Sequence, residues 1–109
     1  MTEVILAAPS VASEPDLVRA APAAGVAVLR RCVDAVDLLA AAASAAGVAV
    51  VVSAGVERLT ADVVADLGRR DRALIGLVAG PGDVELLRSV GVDRLVAVEP
   101  EAAATWRAV

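Results

Sequence analysis

Residues 45–52 read AAGVAVVV, and this stretch decides the class of fold. Its alanines belong to the end of a predicted helix, Gly47 stops that helix, and the valines form a strand without a polar side chain. A strand that is apolar on both faces is typical of a parallel sheet with helices on both sides. The same pattern, AAGVAV, recurs at residues 23–28, which indicates that the same junction between helix and strand occurs twice.

Outward from this stretch, short apolar runs alternate with alanine-rich helices. Each predicted strand is followed by a helix, and the strands cover residues 4–8, 26–30, 48–52, 73–79 and 94–98. The predicted helix starts are Ser13, Asp34, Thr60, Asp83 and Pro100. Parallel strands need such crossover connections. The sequence therefore predicts one three-layer α/β domain, residues 1–109, of the flavodoxin-like or receiver-like class with strand order 2-1-3-4-5.

Composition and charge exclude several classes of function. The net charge of −4 and the single aromatic residue, Trp106, argue against a nucleic-acid partner, which rewards clustered positive charge or stacking platforms. One cysteine cannot form an internal disulfide, and the N-terminus is acidic where a signal peptide is basic, so a cytoplasmic location is predicted. The uncharged run at residues 38–56 is interpreted as a helix, a glycine stop and a buried strand rather than a membrane span.

Two missing residue types exclude much of enzyme chemistry. The chain contains no lysine and no histidine. Without lysine there is no P-loop lysine and no Schiff base, and without histidine there is no Ser-His or Cys-His pair and no imidazole ligand. We therefore expect that this chain alone is not an enzyme and that it has no cofactor and no metal site.

In an open parallel sheet, ligands bind beyond the carboxyl ends of the strands, near the point where the strand order reverses. A phospho-receiver needs acidic residues there to hold Mg²⁺, an aspartate nucleophile, a hydroxyl group and a lysine. This sequence places other residues at the corresponding positions, namely Pro9, Ser10, Ser53, Ala79 and Glu99. All four roles are vacant, because serine does not replace aspartate as phosphoryl acceptor and the divalent metal has no carboxylate cage.

Four other features leave alternatives open. Cys32 is either a thiolate activated by Arg31 or a packed structural thiol. The GPGD sequence at residues 80–83 is either a phosphate cradle at a helix N-terminus or a structural turn. The RRDR sequence at residues 69–72 is either a partner-binding patch or the solvated end of a helix. Trp106 either anchors an interface or covers the sheet.

Several segments are similar to a known family. RRCVD at residues 30–34, DLLA at 37–40, GDVE at 82–85 and GVDRL at 91–95 resemble the degenerate receiver-like N-terminal domain of actinobacterial CpaE-like ATPases in the MinD/ParA superfamily. The resemblance covers most of the chain. It implies a role in pilus or secretion-system assembly, or in septum or chromosome positioning. It also implies that this chain is the N-terminal part of a longer protein, whose P-loop ATPase domain follows Val109.

The resemblance implies a phosphorylation-incompetent regulatory or localisation module that works through contact with a protein partner or through self-association. Receivers pair through their fourth helix, fifth strand and fifth helix, so the implied contact face comprises Leu87, Arg88, Val96 and Trp106. A rival interpretation is a module that binds a small ligand, a nucleotide or a flavin, in the crevice around Ser10, Ser53 and Gly80.

Overall fold

The computed structural model describes residues 1–69 and 72–109, and its element order confirms the predicted fold class. In this part of the chain, five parallel strands form one sheet in the flavodoxin-like order β2-β1-β3-β4-β5. The strands are β1 (Thr2–Ala7), β2 (Val26–Arg31), β3 (Ala49–Ser53), β4 (Leu74–Val78) and β5 (Arg94–Ala97). The helices are α1 (Glu14–Ala20), α2 (Ala35–Ser44), α3 (Ala61–Leu67), α4 (Asp83–Ser89) and α5 (Ala102–Ala108). A short 3₁₀ helix, Pro22–Ala24, leads into β2.

Side-chain caps start α2 and α3, as the sequence predicts. Asp34 and Thr60 each accept a hydrogen bond from the backbone N–H three residues later, at 2.9 and 3.3 Å. Ser13 accepts no such bond, so α1 begins without the predicted side-chain cap. Helix α4 begins directly after Gly82, whose φ of 84° lies in the left-handed region that glycine adopts without strain.

Each face of the sheet carries a hydrophobic core, because side chains alternate between the two faces along a strand. On one face, Ile5 of β1 belongs to a buried cluster with residues of α2, α3 and α4. On the other face, Val4 and Leu6 belong to a second cluster with Leu17 of α1 and Trp106 of α5. The apolar central strands are therefore covered on both sides, as the valine-rich stretch of β3 predicts.

The edge strand β2 carries an irregularity near its middle. The pairing register between β1 and β2 shifts after Val4, which leaves Leu29 without a partner and 42% exposed. Beyond this point, Arg31 pairs with Glu14 of α1, and its Nε donates to a carboxylate oxygen at 3.0 Å. Bulges and charged side chains discourage an edge strand from pairing with another sheet. The β2 edge is therefore poorly suited to strand addition.

Three residues of the predicted contact face lie in the core, and the prediction is wrong for them. Leu87 is fully buried, Trp106 is 4% exposed and Val96 is 7% exposed. The indole N–H of Trp106 donates to the backbone carbonyl of Leu17 at 2.7 Å, which holds α5 against α1. Leu87 of α4 and Trp106 of α5 cover the sheet from opposite faces, and Val96 of β5 belongs to the same buried cluster as Trp106. Of the predicted face, only Arg88 is exposed.

The uncharged run at residues 38–56 is divided between two elements. It contains most of α2, a turn at Gly47 with a φ of 80°, and the whole of β3. Within the described residues, no helix is long and apolar enough to cross a membrane.

Candidate functional site

The five positions that correspond to a phospho-receiver site lie at one edge of the sheet. Pro9 and Ser10 follow β1, and Ser53 is the last residue of β3. Ala79 directly follows β4, and Glu99 lies just beyond β5. The carboxyl ends of parallel strands share an edge, so the fold gathers these positions as the sequence predicts. The one ionisable side chain among them, Glu99, is an exposed carboxylate where a receiver has a lysine.

The loops after β1 and β3 contact each other directly. Ser10 Oγ and Ser53 Oγ are 3.3 Å apart, within hydrogen-bond distance, and Ser53 is 1% exposed. A Cβ atom placed on Gly55 would lie 2.1 Å from Ser10 Oγ, so glycine is required for this close approach. The loops after β1 and β3 are therefore in direct contact at the strand-order reversal. Pro9, Ser10, Gly55 and Ala79 remain exposed around this contact, and the small-ligand interpretation of the crevice stays a prediction.

The turn after β4 is closed by Asp83. Its carboxylate Oδ2 accepts hydrogen bonds from the backbone N–H groups of Ala79 and Gly80, both at 2.9 Å. These two donors are the ones that a phosphate cradle in this loop would offer to an anion. Because the protein's own carboxylate already occupies them, the geometry favours the structural turn. Sequence reasoning placed Asp83 at the start of α4, which is confirmed, but missed its bonds back to the turn.

The segment after β5 is held by a buried hydroxyl group. The backbone N–H of Glu99 donates to Thr105 Oγ1 at 2.8 Å, and Thr105 is fully buried. This bond joins the end of the sheet to α5 and leaves the Glu99 side chain exposed. Sequence reasoning did not single out Thr105, since a threonine inside a short alanine-rich helix gives no local signal of such a contact.

No group of three or more potential metal ligands of the His, Cys, Asp and Glu types occurs within residues 1–69 and 72–109. At the strand-order reversal itself, the side chains are the hydroxyl groups of Ser10 and Ser53. Mg²⁺ prefers oxygen ligands and is usually bound by one or two carboxylates together with water molecules. The residues present here do not match that donor set.

Cys32 is a packed thiol rather than an activated one. It is 5% exposed and lies in the cluster formed with α2 and α3. Removal from water raises the pKa of the Cys32 thiol, and the negative charge of Asp37 raises it further. The positive charge of Arg30 acts in the opposite direction but is outweighed. The protonated form is therefore favoured, which supports the structural alternative.

A groove of about 790 Å³ lies between α3 and α4, by the amino ends of β4 and β5. On the α3 side it is lined by Ala61, Val64, Ala65 and Gly68. Three of these four residues are alanine or glycine, and their small size leaves space beside α4. No sequence pattern predicted it, since the groove depends on the distance between two elements that are not adjacent in the chain.

Two arginines flank this groove. Arg88 at the end of α4 and Arg94 at the start of β5 both line it and are exposed. Neither belongs to an ion pair found among the described residues. The one acidic residue lining the groove is Asp93. The groove therefore combines apolar walls with a local positive charge on a chain whose net charge is −4.

The arginines that the sequence places at the end of α3 lie in different environments. Arg69 is exposed and pairs with Asp66 at 3.2 Å, whereas Arg72 is 8% exposed, contrary to the predicted solvated position. Residues 70–71, which belong to the same predicted patch, lie outside the described residues. The Arg72 side chain turns inward, and its Nη2 donates to the carbonyl groups of Ala42 and Ala45 at the carboxyl end of α2, at 2.8 and 3.4 Å. Each of these carbonyl groups also accepts a backbone N–H, so the bonds from Arg72 are additional to those of the chain turn.

Comparisons of this chain with protein-family models, with curated proteins and with solved structures find no match.

Proposed function

We propose that this chain is a phosphorylation-incompetent, receiver-like regulatory or localisation module that acts in the cytoplasm through protein–protein contact. The observation that carries the proposal is the contact between Ser10 and Ser53 at the strand-order reversal. A receiver has its aspartate nucleophile and Mg²⁺ ligands at this point. Because two hydroxyl groups lie there instead, the chain has no aspartate at this point that could accept a phosphoryl group, which favours contact with another protein as its way to transmit a signal.

The similarity to CpaE-like proteins extends this proposal. On that basis the chain precedes an ATPase of the MinD/ParA type that serves pilus assembly or septum or chromosome positioning. Sequencing the reading frame beyond Val109 tests this part. A glycine-rich loop ending in Lys-Thr or Lys-Ser would support it, and a stop codon directly after Val109 would remove it.

The contact surface that the geometry favours is the groove between α3 and α4. Its occupant is an apolar segment of a partner protein that carries acidic side chains at its border. The apolar walls supply hydrophobic contact, and the exposed guanidinium groups of Arg88 and Arg94 supply charge complementarity. Val84, one helical turn before Arg88, is 37% exposed and extends the apolar surface along α4.

The proposed inability to accept a phosphoryl group is tested directly. The protein is incubated with acetyl phosphate and Mg²⁺, and its intact mass is measured. We expect no added phosphoryl group, because neither serine hydroxyl has a histidine or lysine base to activate it. A working phospho-receiver in the same reaction is the positive control. A phosphorylated species that survives at neutral pH and is lost on treatment with hydroxylamine would show an acyl phosphate and refute the proposal.

The groove is tested by site-specific photo-crosslinking of the full-length protein in its own cells. A photoreactive amino acid at Ser89, which lines the groove, is compared with one at Arg30, on the exposed opposite edge of the sheet. We expect a cross-linked protein species only from Ser89, with the linked peptide apolar and bordered by acidic residues. Equal yields from both positions, or none from Ser89, would contradict the assignment.

Charge reversal then tests the two arginines. Combined Arg88→Glu and Arg94→Glu substitutions are expected to abolish the crosslink from Ser89, since they place like charges against an acidic partner. Arg30→Glu is the matched control, because it makes the same change at an exposed arginine away from the groove. Sedimentation velocity of the same variants distinguishes a second copy of this chain from a different protein as the occupant.

A further inference from the structure

Arg72 is the one charged residue buried within the described part of the chain. Its Nη2 group donates to the carbonyl oxygens of Ala42 and Ala45 at the end of α2. Its Nε and Nη1 atoms have no hydrogen-bond partner among the described residues. A guanidinium has five N–H donors, one of them on Nε and two on Nη1, so three of the five are unpaired there.

This arrangement is unfavourable for an isolated protein. A buried charge is stabilised by an opposite charge or by a full set of hydrogen bonds, and Arg72 has no carboxylate partner in residues 1–69 and 72–109. The bonds to the end of α2 use only two of the five N–H donors of Arg72. An apolar side chain of similar length would leave fewer donors unsatisfied, so helix capping alone does not explain a charged residue at this position.

A cleft of about 150 Å³ lies next to this side chain, between α2 and α3. Arg72 and Arg69 both line it, together with Leu39, Ala43 and Asp66. The charge of Asp66 is already engaged, because it forms an ion pair with Arg69 at 3.2 Å. The cleft thus carries one positive charge in excess, and it is several times larger than the roughly 30 Å³ that one water molecule occupies in the liquid.

We propose that this cleft binds a small oxyanion, a phosphate or a carboxylate, which accepts hydrogen bonds from the unpaired donors of Arg72. Arginine is suited to this role because its planar fork matches both kinds of anion. The site is independent of the proposed protein contact, since it lies on the other side of α3 from the groove at Arg88.

Access to the unpaired donors limits the size of the anion. Nε and Nη1 are shielded from water in the unliganded protein, so the cleft wall must open slightly for an anion to reach them. The Arg69 side chain is 72% exposed and is held only by its surface ion pair with Asp66. Such pairs contribute little to stability, and Arg69 is therefore able to move and to provide a second contact with the anion.

The test is thermal unfolding in rising concentrations of inorganic phosphate, acetate or chloride at equal ionic strength. At a concentration ten times the dissociation constant, an anion that binds only the folded state lowers the unfolding constant about 11-fold. We expect such an effect from phosphate or acetate but not from chloride, and which of the two acts identifies the anion. Arg72→Met should abolish the effect, whereas the control Arg88→Met should retain it.

Equal responses to all three anions, no response to any of them, or the same response in Arg72→Met would overturn the proposal. If Arg72→Met does not fold, a second experiment is used. The anion that stabilises the unmodified protein is titrated into it, and the amide chemical shifts are followed by NMR. Shifts confined to the carboxyl end of α2 and to α3, and weakened by Arg69→Met, would support the site. Shifts scattered over other exposed arginines would overturn it.

Discussion

Replacement of Trp106 by alanine tests whether α5 belongs to the core. Trp106 is 4% exposed. A tryptophan removes about 200 Å² from water, which at about 25 cal/mol per Å² corresponds to roughly 5 kcal/mol as an upper value. The hydrogen bond to the Leu17 carbonyl adds about 1 kcal/mol. Buried tryptophan-to-alanine substitutions cost about 3–5 kcal/mol, and we expect that range here. A domain of this size has a total stability of only about 5–15 kcal/mol.

The assay is urea denaturation followed by far-ultraviolet circular dichroism, because the alanine variant has no fluorophore. Trp106→Phe retains much of the apolar area but loses the hydrogen bond, so a smaller loss of about 1–2 kcal/mol is expected. The Leu17 carbonyl also accepts from the backbone N–H of Ala21 at 3.1 Å, so the Phe variant strands no acceptor. Leu86→Ala, at a site that is 43% exposed, is the control and should change stability by less than about 0.5 kcal/mol.

The reasoning would be refuted by a loss of less than about 1 kcal/mol for Trp106→Ala. Efficient quenching of the native tryptophan emission by acrylamide would lead to the same conclusion. Either result would place the indole at the surface and restore the fourth helix, fifth strand and fifth helix as the candidate contact face.

Three further predictions concern single residues. The raised pKa of Cys32 stabilises the folded state below the ordinary thiol pKa of 9.0; stability should therefore fall as the pH rises from there through the pKa of the folded thiol. Cys32→Ala should lack this decline in urea titrations over pH, and equal slopes would contradict the burial of the thiol. Asp83→Ala should cost about 1–2 kcal/mol by removing both bonds to the turn after β4, and Asp83→Asn less than half of that; equal losses would show that charge alone matters. Gly76→Ala should cost about 1–3 kcal/mol, since its Cβ would lie 2.8–3.0 Å from three core side chains. The control Gly80→Ala meets no atom within 4 Å and should be nearly neutral; similar melting temperatures for the two would contradict the packing around β4.

Local signals in the sequence were sufficient for the order and type of the elements. The caps at Asp34 and Thr60 depend on bonds to the N–H group three residues later, and such contacts are encoded within one turn of helix. The continuous apolar stretch of β3 required helices on both faces, which the two buried clusters provide. The positions of Ser10 and Ser53 at one edge of the sheet followed from the same order of elements.

Local signals failed for side chains that have both an apolar and a polar part. Trp106 was compatible with an interface or with the interior, and Arg72 was assigned to the surface in both of its alternatives, although such side chains combine a large apolar body with a polar end. Leu87 and Val96 were assigned to a contact face by analogy with receivers, without regard to their role in covering or forming the sheet. The structure places all four in the interior.

The sequence by itself determined the repeating strand and helix units, the side-chain caps of α2 and α3, and the absence of lysine and histidine. These properties depend on composition or on contacts between residues a few positions apart. The tertiary structure alone decided that residue 106 bonds to residue 17, that residue 72 bonds to residue 42, and that a groove remains open between α3 and α4. Such contacts join segments far apart in the chain. Which of these contacts form depends on how closely each helix approaches the sheet. That distance is set by the packing of all the side chains between the helix and the sheet.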